Sequence, residues 1–264
     1  MRIPDSAWKH VMMQIGANDL CQLCLQSLLP GPADDFEEKI REVLEYLRVN
    51  LRAFSPSCYY SWTYTFRRIA NTIVNLTGVF KLSGLYKVCW GSPARCHPTD
   101  PRSQLTRNQP YCDQTIPFIR HFNWECSVRH FFPSRLPDLF HFQCALLGGD
   151  IGKVTRRAMD ELQAQYNDRL LKIVSDYQRA RDPRFAVTWI GAEIPLHEYP
   201  IEALSNVDCF HPSLDSHRFI AAGMWNRLTG DKTTRSQPFA PWTRDLTFRC
   251  LEAGDRIITD ALIR

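Results

Sequence analysis

The 264-residue chain has no apolar run of about 18 residues, the length that a membrane-spanning helix needs. Its opening, Met1-Arg2-Ile3-Pro4-Asp5, has no apolar stretch of the kind that marks a signal peptide. Charge of one sign is scarce as well. The 32 Lys and Arg against 28 Asp and Glu leave +4, spread along the chain. That excess is too small to argue for a nucleic-acid partner, and none is expected. No internal repeat and no low-complexity run is visible, which excludes solenoids and fibrous arrays. Cysteine, by contrast, is plentiful: there are ten, many for a reducing compartment and ordinary for a secreted protein. Asn75-Leu76-Thr77 is also a glycosylation sequon. Secretion-type chemistry without a leader is a conflict, and an absent beginning is one resolution of it.

What is present reads as a folded protein. Hydrophobic residues make up 44% and charged residues 23%, which excludes wholesale disorder, collagen and coiled coil. The length suits one large α/β domain or two small ones, with a core that can hold without disulfides. Val11-Met12-Met13-Gln14-Ile15 is a short apolar run ending at Gly16 and predicts a buried parallel strand, with Gly16-Ala17-Asn18-Asp19 as the turn at its carboxyl end. Residues 34–50 have helical period, with Phe36, Ile40, Val43, Leu44 and Leu47 on one face and Asp34 and Asp35 at the start. Thr72 to Leu76 predicts a second strand, continuing towards Val79-Phe80. Residues 153–178 predict the longest helix, with a stripe of Val154, Leu162, Tyr166, Leu170, Ile173, Val174 and Tyr177. Phe185 to Ile190 predicts a third strand, and Asp215 to Leu228 a last helix in which Trp225 is expected in the core. This alternation argues for a parallel sheet with helices on its faces.

Two pieces of the chain carry chemistry. In Asp208-Cys209-Phe210-His211, an Asp and a His three apart in a loop can face one point. The His then takes a proton from a nucleophile, and the Asp orients its ring and stabilises the imidazolium. The ordinary alternative is a turn with an Asp cap and a surface His. In Gly16-Ala17-Asn18-Asp19, at the end of a strand where open α/β sheets place ligands, the Gly permits close backbone approach and the Asn amide can donate to a developing oxyanion. The ordinary alternative is a strand-ending turn, since Gly, Asn and Asp are turn residues.

In this order and on these elements, the two pieces resemble the GDSL or SGNH hydrolase superfamily, and within it the phospholipase B group of lipases. The resemblance rests on Gln14 to Cys24 and on Asp208-Cys209-Phe210-His211-Pro212-Ser213, running on to His217 and Met224 to Leu228. Ile73 to Phe80 and Met159 to Asn167 are also similar to that group. The resemblance implies a flavodoxin-like three-layer α/β/α fold and a lipolytic carboxylic ester hydrolase of phospholipase B or lysophospholipase type. It implies a serine acyl-enzyme mechanism, with His211 as general base, Asp208 as its orienting carboxylate and Asn18 as oxyanion donor, supported by Gly16 and Asp19. No metal or cofactor is implied. The implied partner is a phospholipid or other lipid ester, met at a membrane surface, and the implied location is extracellular or membrane-associated.

The departures from the family pattern are as informative. No Gly-Asp-Ser, the family's nucleophile motif, occurs in the sequence; Gly149-Asp150-Ile151 has the wrong third residue and the wrong place. The expectation is therefore one hydrolase domain over 1–230 that lacks its first strands, followed by a tail over 231–264 that either docks or is disordered. Open sheet edges in such a chain predict poor stability or aggregation. Ser213 and Ser216 are near His211, but they belong to the start of the last helix and are not expected to substitute as nucleophile. Residues 55–68 and 89–145 are read as extra to the core, either insertions or translated non-coding sequence. The latter stretch holds five Cys and four His, but no pair in it has the close spacing of a structural zinc site. Cys21 and Cys24 form a C-x-x-C, for which a structural disulfide with partners elsewhere is preferred over a redox pair. A competing functional reading is a non-catalytic remnant that binds lipid or a protein partner.

Overall fold

The computed structural model describes residues 7–22, 33–50, 71–85, 88, 149–191, 194–205, 211–231, 233–234 and 239–259. The expected segments 55–68 and 89–145, with their Cys and His residues, lie outside the described residues, as do Asp208 and Cys24. Three six-residue strands form a parallel sheet in the order β1 (Lys9–Gln14), β2 (Thr72–Thr77) and β3 (Phe185–Ile190). The helices are α1 (Ala17–Gln22), α2 (Ala33–Asn50), α3 (Gly149–Ala180) and α4 (Leu214–Thr229). Two single-turn 3₁₀ helices, Leu196–Glu198 and Ile201–Ala203, lie between β3 and α4. This is the flavodoxin-like α/β class expected from the sequence. No described helix is long and apolar enough to cross a membrane.

The register places Val11, Val74 and Val187 side by side, and next to them Met13, Leu76 and Trp189. This face meets the stripes of α2 and α3. Phe36 of α2 stacks on Tyr166 of α3 with ring centroids 4.0 Å apart, and Tyr177 meets Phe185 at 5.7 Å. Leu44, Val74, Ile173 and Val174 are fully buried here, and each such side chain contributes about 1.5–3 kcal/mol. The alternate residues Asn75, Thr77, Thr188 and Ile190 are buried too, as a strand covered on both sides requires. Between them, Thr188 Oγ1 donates to Asn75 Oδ1 at 2.7 Å.

The expected elements are all present, with four corrections. The first strand begins earlier, ends at Gln14 and is not buried: it lies at the edge of the described sheet with alternate residues such as Met12 exposed, and Ile15 lies outside it and is exposed. Only Gly16 of the expected turn is irregular, because Ala17, Asn18 and Asp19 open α1. Val154 is exposed on the first turns of α3 and not part of its buried stripe. Asn75 is 0% exposed in the middle of β2, so its sequon offers a glycan no access in the folded chain. One further position also departs from expectation, and the tail takes the docked one of its two expected forms. Trp225 is half-buried at the rim of α4, and its indole donates to Arg249 O at 2.9 Å. The tail docks over residues 239–259: Phe239 meets Phe219 edge-on, Asn226 exchanges side-chain hydrogen bonds with Thr247 and Arg249, and Gln178 of α3 donates to Thr259 O.

Polar groups fix how α2 and α3 sit. Glu37, buried on α2, takes Arg41 at 2.7 Å and Lys172 of α3 at 3.0 Å, while Arg41 also reaches Asp176 of α3. A second set of bonds reaches the end of β2. Val79 N–H donates to Asn167 Oδ1 at 2.7 Å, and Asn167 Nδ2 returns a bond to Val79 O at 3.0 Å. Gln163 Nε2 donates to the same carbonyl. The loop after β2 therefore has its backbone satisfied by two amide side chains one helical turn apart on α3.

Two outcomes follow. Burial pushes the Glu37 carboxyl up, but the bonds and charges of Arg41 and Lys172 outweigh it and hold it below the usual carboxylate range. A depressed folded-state value contributes stability above the unfolded value of about 4.3, and that contribution is lost as pH falls through the lower folded value. Glu37→Gln should cost about 1–3 kcal/mol at neutral pH and flatten the loss of stability below about pH 4, read by urea unfolding across pH. Asn167→Ala should cost a similar amount, about 1–3 kcal/mol, with no such pH dependence.

Candidate functional site

The site is assembled at the carboxyl ends of β1, β2 and β3, where an open parallel sheet presents its loops. At the end of β1, Gly16 has φ +111°, a region that L side chains avoid. A Cβ there would also stand 2.9 Å from Val79 Cγ2 and 3.2 Å from Phe36 Cε2. Glycine is thus required twice, by its own backbone and by the loop that Asn167 and Gln163 hold in place. Gly16 O accepts from Leu20 N–H at 3.1 Å, which starts α1. Leu20 is fully buried and roots the helix, while Asn18 and Asp19 stay exposed on its first turn.

His211 comes from a loop closed at its base. Ser205 N–H donates to His211 O at 2.7 Å, Ser213 N–H donates to Ala203 O at 2.8 Å, and Leu204 bridges Pro212 in antiparallel fashion. These bonds fix the backbone on both sides of the histidine. Ser213 then caps α4, its Oγ accepting from Ser216 N–H at 3.3 Å. Ser216 is buried; its Oγ donates to Ala203 O at 2.7 Å and accepts from Trp242 Nε1 at 3.1 Å. Both serines are engaged in holding this corner. Asp208 lies outside the described residues, so its role beside His211 rests on sequence alone.

Asn18 and His211 line one cavity of about 80 Å³. Its walls are apolar. Phe80, Leu82, Leu85 and Val88 come from the segment after β2. Ile194, Leu196, Tyr199 and Leu204 come from the segment after β3, and Ile220 from α4. The two wall segments touch where a Cβ on Gly84 would stand 3.0 Å from Leu196 Cβ. The fold thus brings together Asn18 and His211, which sequence reasoning named. Asp19, named with them, is exposed on α1 and is not one of the lining residues. Sequence reasoning missed the walls, because 80–88 and 194–204 are loops and single helical turns without a period to read.

The nearby Tyr166 phenol is structural. Burial, with Asp19 and Asp35 nearby, pushes the Tyr166 hydroxyl up to about 12, in keeping with its stack on Phe36. Among the described residues no cluster of His, Cys, Asp and Glu is arranged to hold a metal ion. The only cysteine whose side chain is described, Cys250, is an exposed free thiol; the expectation that Cys21 and Cys24 form structural disulfides with partners elsewhere falls on side chains outside the described set.

No curated protein and no solved structure matches the chain. The family model of the GDSL-like Lipase/Acylhydrolase matches residues 3–224, from before β1 into α4. That span contains Gly16, Asn18 and His211 and both walls of the cavity. The chain belongs to the GDSL-like lipase/acylhydrolase family.

Proposed function

We propose that this chain carries the base and oxyanion side of a lipolytic carboxylic ester hydrolase of phospholipase B or lysophospholipase type. The observation that supports this reading is that Asn18 and His211, far apart in sequence, line one apolar cavity. An ester seated at its mouth puts the acyl chain among Leu, Ile and Phe side chains and the carbonyl near the polar pair. His211 then takes the proton of an attacking serine, with Asp208 stabilising the imidazolium. The Asn18 amide donates to the oxyanion as the tetrahedral intermediate forms. His211 next returns the proton to the leaving alcohol. Water repeats the sequence on the acyl-enzyme and releases the fatty acid. The substrate is a lipid in a bilayer or micelle, so the protein works at a membrane surface, in the extracellular or membrane-associated setting that its resemblance implies.

The nucleophile in this reading comes from outside the 264 residues, which contain no Gly-Asp-Ser. Ser213 and Ser216 are committed to the α4 cap and to Ala203 O. The same observation favours a second reading, in which this chain binds lipid or a protein partner without turning it over.

Turnover of lysophosphatidylcholine by the 264-residue chain, alone and joined to a Gly-Asp-Ser-bearing segment of its gene, separates the two. The first reading expects turnover only in the joined protein. There, His211→Ala should lower kcat by about 10²–10⁴-fold, and Asn18→Ala by about 10²–10³-fold with little change in KM. An unchanged rate in His211→Ala ends the hydrolase assignment. A gene without such a segment, with vesicle binding retained, establishes the second reading.

A further inference from the structure

The cavity that Asn18 and His211 share is short as well as apolar. Its volume is about 80 Å³. An apolar protein cavity of about 150 Å³ holds one benzene, so about half that space holds roughly three or four carbons. Its depth agrees. Ser216 and Ile220 of α4 both line it, on one face of the helix. One helical turn, about 5.4 Å, separates them, and an extended alkyl chain advances about 1.3 Å per carbon. About four carbons therefore span the stretch from the His211 end of α4 to Ile220.

The rest of the wall closes this space. Leu82, Leu85 and Val88 after β2, and Leu196 and Leu204 after β3, line it and are all buried. Burial also gives the direction. Asn18 is exposed and His211 half-buried, so an ester group lies at the mouth and its carbon chain points inward. A chain longer than the cavity has to displace packed leucines or fold back into water. Of the two α4 residues in the wall, Ser216 is taken by Ala203 O and Trp242, which leaves Ile220 as the apolar side chain that α4 sets against the chain.

We propose that the cavity is a short-acyl pocket, taking an acyl group of about two to four carbons, and that Ile220 is the specificity-determining residue that sets this limit. This rests on the reading that Asn18 and His211 face the ester group. It narrows the substrate to esters whose acyl group is short, the alcohol that they carry being left outside the cavity mouth.

Methyl NMR of the full 264-residue chain, titrated with acetate, butanoate, hexanoate and octanoate, tests this without turnover, so its failure is separate from failure of the hydrolase reading. The charged carboxylate stays with water at the Asn18 end, and only the alkyl chain enters. The methyls of Ile194 and Ile220, which line the cavity, should shift saturably, while those of Ile40 and Ile173, buried between α2 and α3, stay in place. Affinity should rise about fourfold per added CH₂ up to butanoate and then stop rising. In Ile220→Ala, with its fold checked by circular dichroism, the rise should extend to hexanoate. Should that variant not fold, Leu82→Ala, which enlarges the same cavity from another wall, should extend it likewise. The proposal is overturned by an affinity that climbs steadily to octanoate, by no saturable shift of Ile194 and Ile220, or by a break at butanoate that survives enlargement of the cavity.

Discussion

The backbone of Val79 is the point on which the site depends. Both of its polar groups are taken by amide side chains of α3: Asn167 bonds the N–H and the carbonyl, and Gln163 bonds the carbonyl again. A loop leaving a central strand has lost its ladder partners and would otherwise need water in a buried place. With those bonds made, the Val79 side chain closes over Gly16, as Phe36 does. Gly16 then turns β1 into α1 and presents Asn18. Phe80, the next residue along, begins the apolar wall. One clamp thus positions Asn18 and one side of the cavity together.

The other side depends on the base of the His211 loop. The backbone bonds between Ala203, Ser205, His211 and Ser213 close a short antiparallel bridge, and the Ser216 hydroxyl reinforces it from the start of α4. The residues that hold the histidine are small and polar, and their hydroxyls and amides are spent on structure. That explains why two serines so close to His211 are poor nucleophile candidates. It also explains why the tail matters: Trp242 donates to Ser216, and Phe239 packs on Phe219, so the docked tail braces the helix on which this corner rests.

Much of the fold was legible in the sequence because the core is periodic. The stripe of Phe36, Ile40 and Leu44 and that of Tyr166, Leu170 and Ile173 mark amphipathic helices, and Phe185 to Ile190 is a run buried on both faces. Misreadings arose where burial departs from pattern. Val154 shares the spacing of the α3 stripe, but it lies at a helix end beyond the sheet. Asn75 matches a surface motif but sits in mid-strand, paired with Thr188. Trp225 has the bulk of a core residue, but its indole N–H finds Arg249 O at the rim, which keeps it half-buried.

The sequence alone determined the order of the elements and the identities of Gly16, Asn18 and His211, because hydrophobic period and short motifs are local properties. The family to which the chain belongs agrees with the coarser expectation of a lipolytic acylhydrolase. Tertiary structure alone decided that Asn18 and His211 share a cavity, and that its walls come from two aperiodic segments, 80–88 and 194–204. It also decided that the Asn75 sequon is closed to solvent. The physical reason is the same for each. Which residues line a space, and which polar atoms find partners, depends on contacts between segments distant in the chain, and those contacts leave no period in the sequence.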